Sequence, residues 1–376
     1  MNFGFYFLSD SNILYPQNRL SMAAWKREIL PRENGELVEM QVPEIVSASR
    51  STDIPAFYSD WFFHRLKVGY SAWTNPFNGV KGYVSYKNTR FIVFWSKDPS
   101  PLLSHLDELK EKEIGCYIQY TLNDYVKEGL ERGVKPLDYR IDTFKRLVDK
   151  LGLGSVIWRF DPLMLTDTID IDTLLGKIEN IGNQLKGYTE KLVFSYADIS
   201  TYRKVKSNLD KNGVNSRDWT EDEMRGLADG LAKLNQSLGY SLATCGEKID
   251  LKHYGIEHNH CIDDALIIRL AYHDKTLMDF LKVKIHPMPS PSIFGDTDPL
   301  PPDAIILPNK TFATRGDNRD KGQRQFCGCI VSKDIGEYNT CPHLCEYCYA
   351  NSSKEIAVRN WKEHKKNQFG ETIKGR

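Results

Sequence analysis

The sequence predicts an α/β protein built as a TIM-like (β/α) barrel, and three observations support this fold class. Short runs rich in β-branched and aromatic residues alternate with helical stretches, a pattern typical of parallel strands joined by helical crossovers. Polar residues recur where many of these strands end, the edge at which (β/α) barrels build active sites. The chain has no glycine-rich dinucleotide turn and no P-loop, which disfavours an open nucleotide-binding sheet.

The predicted elements follow one another in regular order from residue 44. The strand candidates span residues 45–49, 70–75, 91–95, 116–122, 155–160, 191–196 and 240–244. The helix candidates span residues 56–68, 101–111, 137–150, 171–184, 220–238 and 263–272. A short strand at 329–332 and a helix at 353–366 would supply an eighth unit.

These elements predict four segments. Residues 1–43 form an N-terminal extension without a clear period, and residues 44–284 form the barrel body. Residues 285–325 are a proline-rich irregular excursion, and residues 326–376 carry a cysteine loop and a helix that complete the barrel. Because the last unit of a closed barrel lies beside the first, a C-terminal loop can occupy the place of an N-terminal one. Compared with a barrel that carries such a loop near its N-terminus, this barrel is therefore predicted to be circularly permuted.

Composition limits the classes of partner. The 376 residues contain 50 Lys plus Arg and 50 Asp plus Glu, so no overall charge attracts nucleic acid or an anionic membrane. The chain start lacks signal-peptide features, and no stretch reaches the length of a membrane span, so we expect a cytoplasmic protein without a membrane partner. The eight cysteines are clustered, which favours metal binding over a disulfide framework, although Cys116 is expected in the core.

Three cysteines near the C-terminus carry the strongest functional signal. Cys341, Cys345 and Cys348 follow the spacing C-x3-C-x2-C, and the aromatic Tyr347 precedes the third. Three thiolates can bind three irons of a [4Fe–4S] cluster and leave one iron open for chemistry. The motif resembles the cluster loop of radical S-adenosylmethionine (SAM) enzymes. That resemblance implies SAM at the open iron, radical chemistry on an unknown substrate, and an electron donor such as flavodoxin or ferredoxin.

Other interpretations of these cysteines stay open. Cys327 and Cys329 are candidates for additional ligands, and four of the five thiolates could close a structural zinc site. That would make the protein a non-enzymatic, zinc-stapled binding module. A closed four-cysteine cluster could only transfer electrons, whereas an open iron without SAM could polarise a substrate oxygen as a Lewis acid.

Several motifs resemble those of a bacterial protein family. They lie at residues 47–58, 75–78, 94–99, 158–162 and 244–247, together with the cysteine loop. In combination they resemble the bacterial domain of unknown function 1848 family over roughly residues 44–355. This resemblance implies C-terminal cysteines similar to the cluster motif of radical SAM enzymes.

Four residues at strand ends are candidates for catalysis. Glu247 is the best acid/base candidate, because a strand-end carboxylate in a partly dry site can have a raised pKa. Arg159 and Asp161 share one strand face within an apolar run, so they either form a buried ion pair or hold a carboxylate of substrate or SAM. Lys97 follows the third predicted strand and could bind a carboxylate or phosphate.

Four further residues are candidates for cofactor binding. Arg50 and Asp53 follow the first predicted strand, Gln119 lies on a polar face of the fourth, and Ser195 ends the sixth. Gln119 could equally belong to an internal hydrogen-bond network. A mononuclear metal site built from Glu247, His258 and Cys261 is also conceivable.

Overall fold

The computed structural model describes residues 25–75, 79–290, 299–324 and 326–376. Its strands in chain order are β1 Arg27–Pro31, β2 Leu37–Gln41, β3 Ile45–Ala48, β4 Tyr70–Thr74, β5 Lys81–Ser85, β6 Phe91–Ser96, β7 Gly115–Thr121, β8 Val156–Leu163, β9 Leu165–Thr166, β10 Lys191–Tyr196, β11 Ser216–Arg217, β12 Ser241–Thr244, β13 Ile256–His258, β14 Lys284–Pro287, β15 Ile305–Ile306, β16 Thr311–Thr314 and β17 Lys333–Asp334. Its α-helices are α1 Ile54–Phe57, α2 Ser59–Val68, α3 Leu106–Glu111, α4 Leu137–Leu151, α5 Ile171–Leu185, α6 Arg203–Lys211, α7 Glu221–Leu238, α8 Asp264–Ala271, α9 Lys275–Phe280 and α10 Lys354–Lys366. Short 3-10 turns lie at Ser100–Ser104 and Lys252–Tyr254.

The centre of the fold is an eight-stranded sheet. Its strand order is β13-β12-β10-β8-β7-β6-β3-β17, and every neighbouring pair is parallel. A large parallel sheet flanked by helices confirms the predicted α/β class. The carboxyl ends of all eight strands therefore lie along one edge.

Alternate strand residues face two apolar clusters. Val46, Ile92, Ile118 and Trp158 pack with residues of α2, α4, α5 and α7 on one face. Their sequence neighbours, such as Val93 and Tyr117, pack with residues of α8 and α9 on the other. Because both faces are buried, the strands read as nearly continuous apolar runs, which is how the sequence revealed them.

Local signals fix several helix boundaries. Asp170 and Asp263 accept hydrogen bonds from the first-turn N–H groups of α5 and α8. Thr220 and Glu223 form a reciprocal capping box at the start of α7. At the end of α7, Gly239 adopts a left-handed conformation that favours glycine.

A second sheet corrects two expectations. The predicted strand at 70–75 does not join the large sheet: β4 pairs antiparallel with β5 in a four-stranded sheet of order β1-β2-β5-β4. The extension predicted for residues 1–43 contains β1 and β2, while residues 1–24 lie outside the described part. These strands are short and largely exposed on one face, so their partners rather than their own apolar pattern define them.

The last residues of the chain are anchored to this second sheet. Glu371 accepts hydrogen bonds from Arg32 at 2.8 and 2.9 Å, from the Tyr70 hydroxyl at 2.7 Å and from Lys81 at 2.7 Å. Burial by itself would raise the pKa of Glu371, but these donors lower it to about 2. The ionised carboxylate therefore ties the C-terminus to the sheet.

The segment predicted as an irregular proline-rich excursion also contains strands. Within its described residues, β14, β16 and β15 form a three-stranded antiparallel sheet. Residues 291–298 and 325 lie outside the described part, as do residues 76–78 of the 75–78 motif. Within the described ranges, no helix is both long enough and apolar enough to span a bilayer.

The chain then returns to the large sheet. The N–H of Ile330 donates to the carbonyl of Ile262, just after β13, at 3.1 Å, and β17 pairs with β3. Asp334 accepts hydrogen bonds from the hydroxyls of Ser47 and Ser49 and from the N–H of Arg50. This return places residues 335–353 at the carboxyl ends of the strands.

Candidate metal centre

The three-cysteine loop lies between β17 and α10. Cys345 is buried, whereas Cys341 and Cys348 are partly buried as whole residues. Burial raises the pKa of all three thiols, and each thiol is close enough for its charge to act on another of the three. The three thiols are therefore neighbours in a buried position, and their sulfur atoms do not all lie within 4.8 Å of one another.

Backbone groups lie near two of these sulfurs. Burial raises the pKa of Cys341 and Cys348, whereas nearby backbone N–H groups act in the opposite direction. These N–H groups belong to His343 and Asp53 near Cys341, and to residues 350–351 near Cys348. Such donors favour the thiolate, which is the form that binds metal. The loop is therefore shaped to hold deprotonated sulfur.

Asp53 fixes the loop from the first strand-to-helix turn. Its carboxylate accepts hydrogen bonds from the N–H of Ala56 at 2.9 Å, the N–H of Lys97 at 2.7 Å, the Ser96 hydroxyl at 2.7 Å and Nε2 of His343 at 2.8 Å. Burial opposes ionisation of Asp53, but His343 and the other donors hold its pKa below the ordinary value. This predicted cofactor ligand is thus engaged within the protein, and its role in cofactor binding stays a prediction.

His343 lies inside the loop, between the first two cysteines. Its Nε2 faces the Asp53 carboxylate, its Nδ1 lies 3.2 Å from the Gly133 carbonyl, and its ring packs edge-on against Phe57. Both nitrogens face oxygen atoms, and Nε2 donates to the Asp53 carboxylate. Asp53 and His343 therefore form a buried contact between the loop and the sheet.

Tyr347 makes a second connection. Its hydroxyl donates to Glu131 and accepts hydrogen bonds from Lys97 Nζ at 2.9 Å and Asn123 Nδ2 at 3.1 Å, while Lys97 also pairs with Glu131 at 2.7 Å. Burial opposes ionisation of Glu131, but Lys97 holds its pKa below the ordinary value. Lys97, predicted to be catalytic, thus contacts the cysteine loop directly.

Arg159 and Asp161 form the ion pair that the sequence allowed. Arg159 pairs with Asp161 through one nitrogen, and another lies 3.3 Å from both Gln119 Oε1 and Cys261 Sγ. Ser195 donates to the other carboxylate oxygen of Asp161. Gln119 also donates to the Cys261 carbonyl at 2.8 Å, so it belongs to an internal network.

Glu247 follows β12 at the same edge. It accepts a hydrogen bond from the N–H of Tyr196 at 2.9 Å. Burial raises the pKa of Glu247 to about 7, and the nearby carboxylates Asp198 and Asp161 act in the same direction. This pKa agrees with the expectation for an acid/base group, whereas the catalytic role itself stays a prediction.

Arg50 connects the two parts of the strand-end region. The hydroxyl of Tyr349, next to the third cysteine of the loop, donates to the Arg50 carbonyl at 3.3 Å. The guanidinium groups of Arg50 and Arg159 lie 5.4 and 5.3 Å from the Trp95 ring. Within the described ranges, the Arg50 guanidinium makes no hydrogen bond or ion pair.

The other cysteines form a separate group. Cys261 Sγ lies 3.2 Å from Cys245 Sγ. Cys329 Sγ accepts a 3.3 Å hydrogen bond from the N–H of Ile262, the residue after Cys261, and Cys327 is two residues from Cys329. Cys261 therefore belongs with Cys245, Cys327 and Cys329. Whether Cys327 and Cys329 bind metal stays a prediction.

A small group of carboxylates and imidazole lies nearby. Ligand atoms of His260, Asp263 and Asp264 lie within 4.8 Å of one another. However, Asp263 caps α8, and Asp264 accepts a 2.6 Å hydrogen bond from Arg315. These contacts already account for both carboxylates.

Sequence reasoning brought the strand-end candidates to the correct edge but missed several partners. It did not identify Trp95, Glu131 or His343. Only His343 carried a usable signal, because it is a histidine enclosed by the cysteine motif.

Similarity to known proteins shows the family of this chain. No curated protein matches this sequence. The family described as Domain of unknown function (DUF1848) matches residues 45–350, which include the parallel sheet and all three cysteines of the loop. The chain therefore belongs to the DUF1848 family.

Proposed function

We propose that this protein is an iron–sulfur enzyme of the radical SAM type. Cys341, Cys345 and Cys348 would hold three irons of a [4Fe–4S] cluster, and SAM would occupy the fourth. The observation that carries the proposal is the loop itself: three neighbouring thiols with the spacing C-x3-C-x2-C lie buried at the carboxyl ends of a parallel sheet. This edge is where α/β proteins of this class bind cofactors.

The residues of the loop fit such a cluster chemically. Iron–sulfur clusters are bound by thiolates, and nearby backbone N–H groups favour the thiolate forms of Cys341 and Cys348. Because burial raises the pKa of these thiols, metal binding must displace their protons, which makes loading dependent on pH. The loop supplies three thiols, and the cysteines 245, 261, 327 and 329 form their own group.

When bound, a reduced cluster with SAM supplies the electron that starts radical chemistry. The chain's own residues fix the loop and provide charge around it. Asp53 with His343, and Glu131 with Tyr347, attach the loop to the sheet at two points. Arg50, whose guanidinium makes no hydrogen bond to a described residue, is the predicted cofactor ligand with the most donors free for a carboxylate. An electron donor such as flavodoxin or ferredoxin is part of this proposal.

The closed, permuted barrel is also part of the proposal. The returning chain supports it, because Ile330 contacts the backbone after β13 and β17 pairs with β3, so one segment approaches both edges of the sheet. In a closed barrel β17 would complete the ring beside β3. The cysteine loop after β17 would then take the place that the loop after the first strand has in an unpermuted barrel.

Metal analysis of purified variants tests the cluster. After anaerobic reconstitution, Cys341→Ala, Cys345→Ala and Cys348→Ala should each contain about four fewer irons per chain than the wild type and lose the matching sulfide. Cys116→Ala is the matched control, since Cys116 lies in β7 among apolar residues. Full iron in all three loop variants would refute the cluster. A cluster whose spectrum does not change when SAM is added would favour a Lewis-acid enzyme. Zinc in place of iron at the loop would favour a binding module.

A further inference from the structure

Four cysteines outside the loop come together from three separate segments. Cys245 follows β12, Cys261 follows β13, and Cys327 and Cys329 precede the return to β17. The sulfurs form a row in which no three lie within 4.8 Å of one another. Cys245 Sγ lies 3.2 Å from Cys261 Sγ, Cys329 Sγ lies beside Ile262, the residue after Cys261, and Cys327 is two residues from Cys329. Within the described residues, all cysteines except Cys116 thus belong to one of two groups.

The surroundings of this row are those of thiolates. Cys261 accepts hydrogen bonds from Asn259 Nδ2 at 3.2 Å and from Arg159 at 3.3 Å. Cys329 accepts one from the N–H of Ile262 at 3.3 Å. Neutral thiols are weak acceptors, so these three hydrogen bonds favour the thiolate forms of Cys261 and Cys329.

Charge points the same way. Besides Arg159, the guanidinium groups of Arg50 and Arg324 are close enough to interact electrostatically with these sulfurs. Arg159 is buried and pairs with Asp161. Arg50 is half-buried and Arg324 is exposed, so thiolates here would face positive charge from three sides. Four thiolates around a divalent ion carry a net charge of about −2, which these arginines would stabilise.

We propose that Cys245, Cys261, Cys327 and Cys329 form a second metal site, in which four thiolates bind a thiophilic metal and leave no position open. Four sulfurs suit zinc or iron–sulfur chemistry. A single zinc ion is the expected occupant, and its four Zn–S bonds of about 2.3 Å would require the cysteine side chains to turn so that the row closes into a tetrahedron with S–S edges of about 3.8 Å. Binding would release the thiol protons.

Local packing supports a built site. Gly328 lies between two of the cysteines, where a Cβ would come within 2.1 Å of the His260 ring, so this turn accommodates only glycine. Cys327 and Gly328 line a cavity of about 590 Å³, which gives the metal a path from solvent. The metal would fasten the returning chain to the ends of β12 and β13, just before β17 pairs with β3.

Metal content of the full-length chain tests the site. The purified wild type should hold one zinc ion that survives gel filtration, and Cys245→Ser and Cys329→Ser should lose it. Cys116→Ser should keep it, and Cys345→Ser should keep it while losing the iron of the loop. This pattern separates the second site from the cluster, so failure of one proposal leaves the other intact.

Two measurements on unmutated protein guard against variants that do not fold. Protein treated with a chelator and titrated with cobalt(II) should develop the intense absorption of tetrahedral cobalt thiolate. Mass spectrometry should show Cys327 protected from alkylation with metal and modified after chelation. Iron and sulfide bound by these four cysteines would also support a metal site here, with an iron–sulfur cluster in place of zinc. A Cys245–Cys261 disulfide, or four thiols modified freely in protein as purified, would overturn it.

Discussion

Replacement of Asp53 by Asn should detach the cysteine loop from the sheet. The side chains of Asp53 and His343 are 6 and 4% exposed, and their 2.8 Å contact joins residues 290 positions apart. An amide keeps the shape but removes the negative charge that accepts four hydrogen bonds, and it turns one acceptor oxygen into a donor. Leaving a buried donor without its acceptor costs about 1–3 kcal/mol, so we expect a loss of at least that size in the free energy of unfolding.

The assay is urea unfolding of the metal-free protein, followed by tryptophan fluorescence. Asp60→Asn is the matched control, because Asp60 also pairs with a histidine, His105, at 3.0 Å, but its side chain is 65% exposed. Exposed pairs contribute less than about 1 kcal/mol, so this control should unfold almost as the wild type does.

The same variant tests the position of the loop. Loss of a residue that orients metal ligands lowers metal affinity about 10–100-fold, and Asp53→Asn should retain correspondingly less iron after reconstitution. Wild-type unfolding together with wild-type iron content would refute the reasoning that the Asp53–His343 contact holds the loop.

Three other contacts give separate predictions. Glu371→Gln should lose up to about 3 kcal/mol at pH 7, since the folded pKa is about 2 against 4.5 unfolded; this stabilisation is complete above pH 4.5 and is lost as pH falls toward 2. Urea unfolding across that range should show the difference from wild type shrinking, with the exposed Glu36→Gln as the control. Lys97→Met leaves a buried carboxylate without its cation and should destabilise by about 3–5 kcal/mol in the same assay, whereas Lys366→Met, in an exposed pair, should change little. Arg50→Gln should weaken SAM binding at least about tenfold by calorimetry of the reconstituted protein, and unchanged affinity would remove Arg50 from the cofactor site.

Sequence reasoning located six of the eight strands of the large sheet because those strands are buried on both faces. Their apolar runs, such as those of β6 and β10, are long enough to read without knowing their partners. Sequence reasoning missed β13 and placed the last short strand at 329–332, just before β17. It failed for β1 and β2, whose short, half-exposed residues become strands only through pairing. The same limit misplaced β4, because an apolar run does not reveal which sheet it joins.

The candidate site shows the same division between local and distant contacts. The loop motif is readable because its three cysteines lie within eight residues. The group that contains Cys245 and Cys329 is not readable, because three separate segments meet only in the folded chain. The function of His343 likewise depends on Asp53, far away in sequence.

Electron paramagnetic resonance of the reduced, reconstituted protein with and without SAM tests the central proposal most directly. We predict the signal of a reduced [4Fe–4S] cluster that changes when SAM is added and is absent from Cys345→Ala. The Cys245→Ser variant should keep both the signal and its response to SAM. A wild-type protein that gives no such signal, or whose signal SAM leaves unchanged, would contradict an open iron at the three-cysteine loop.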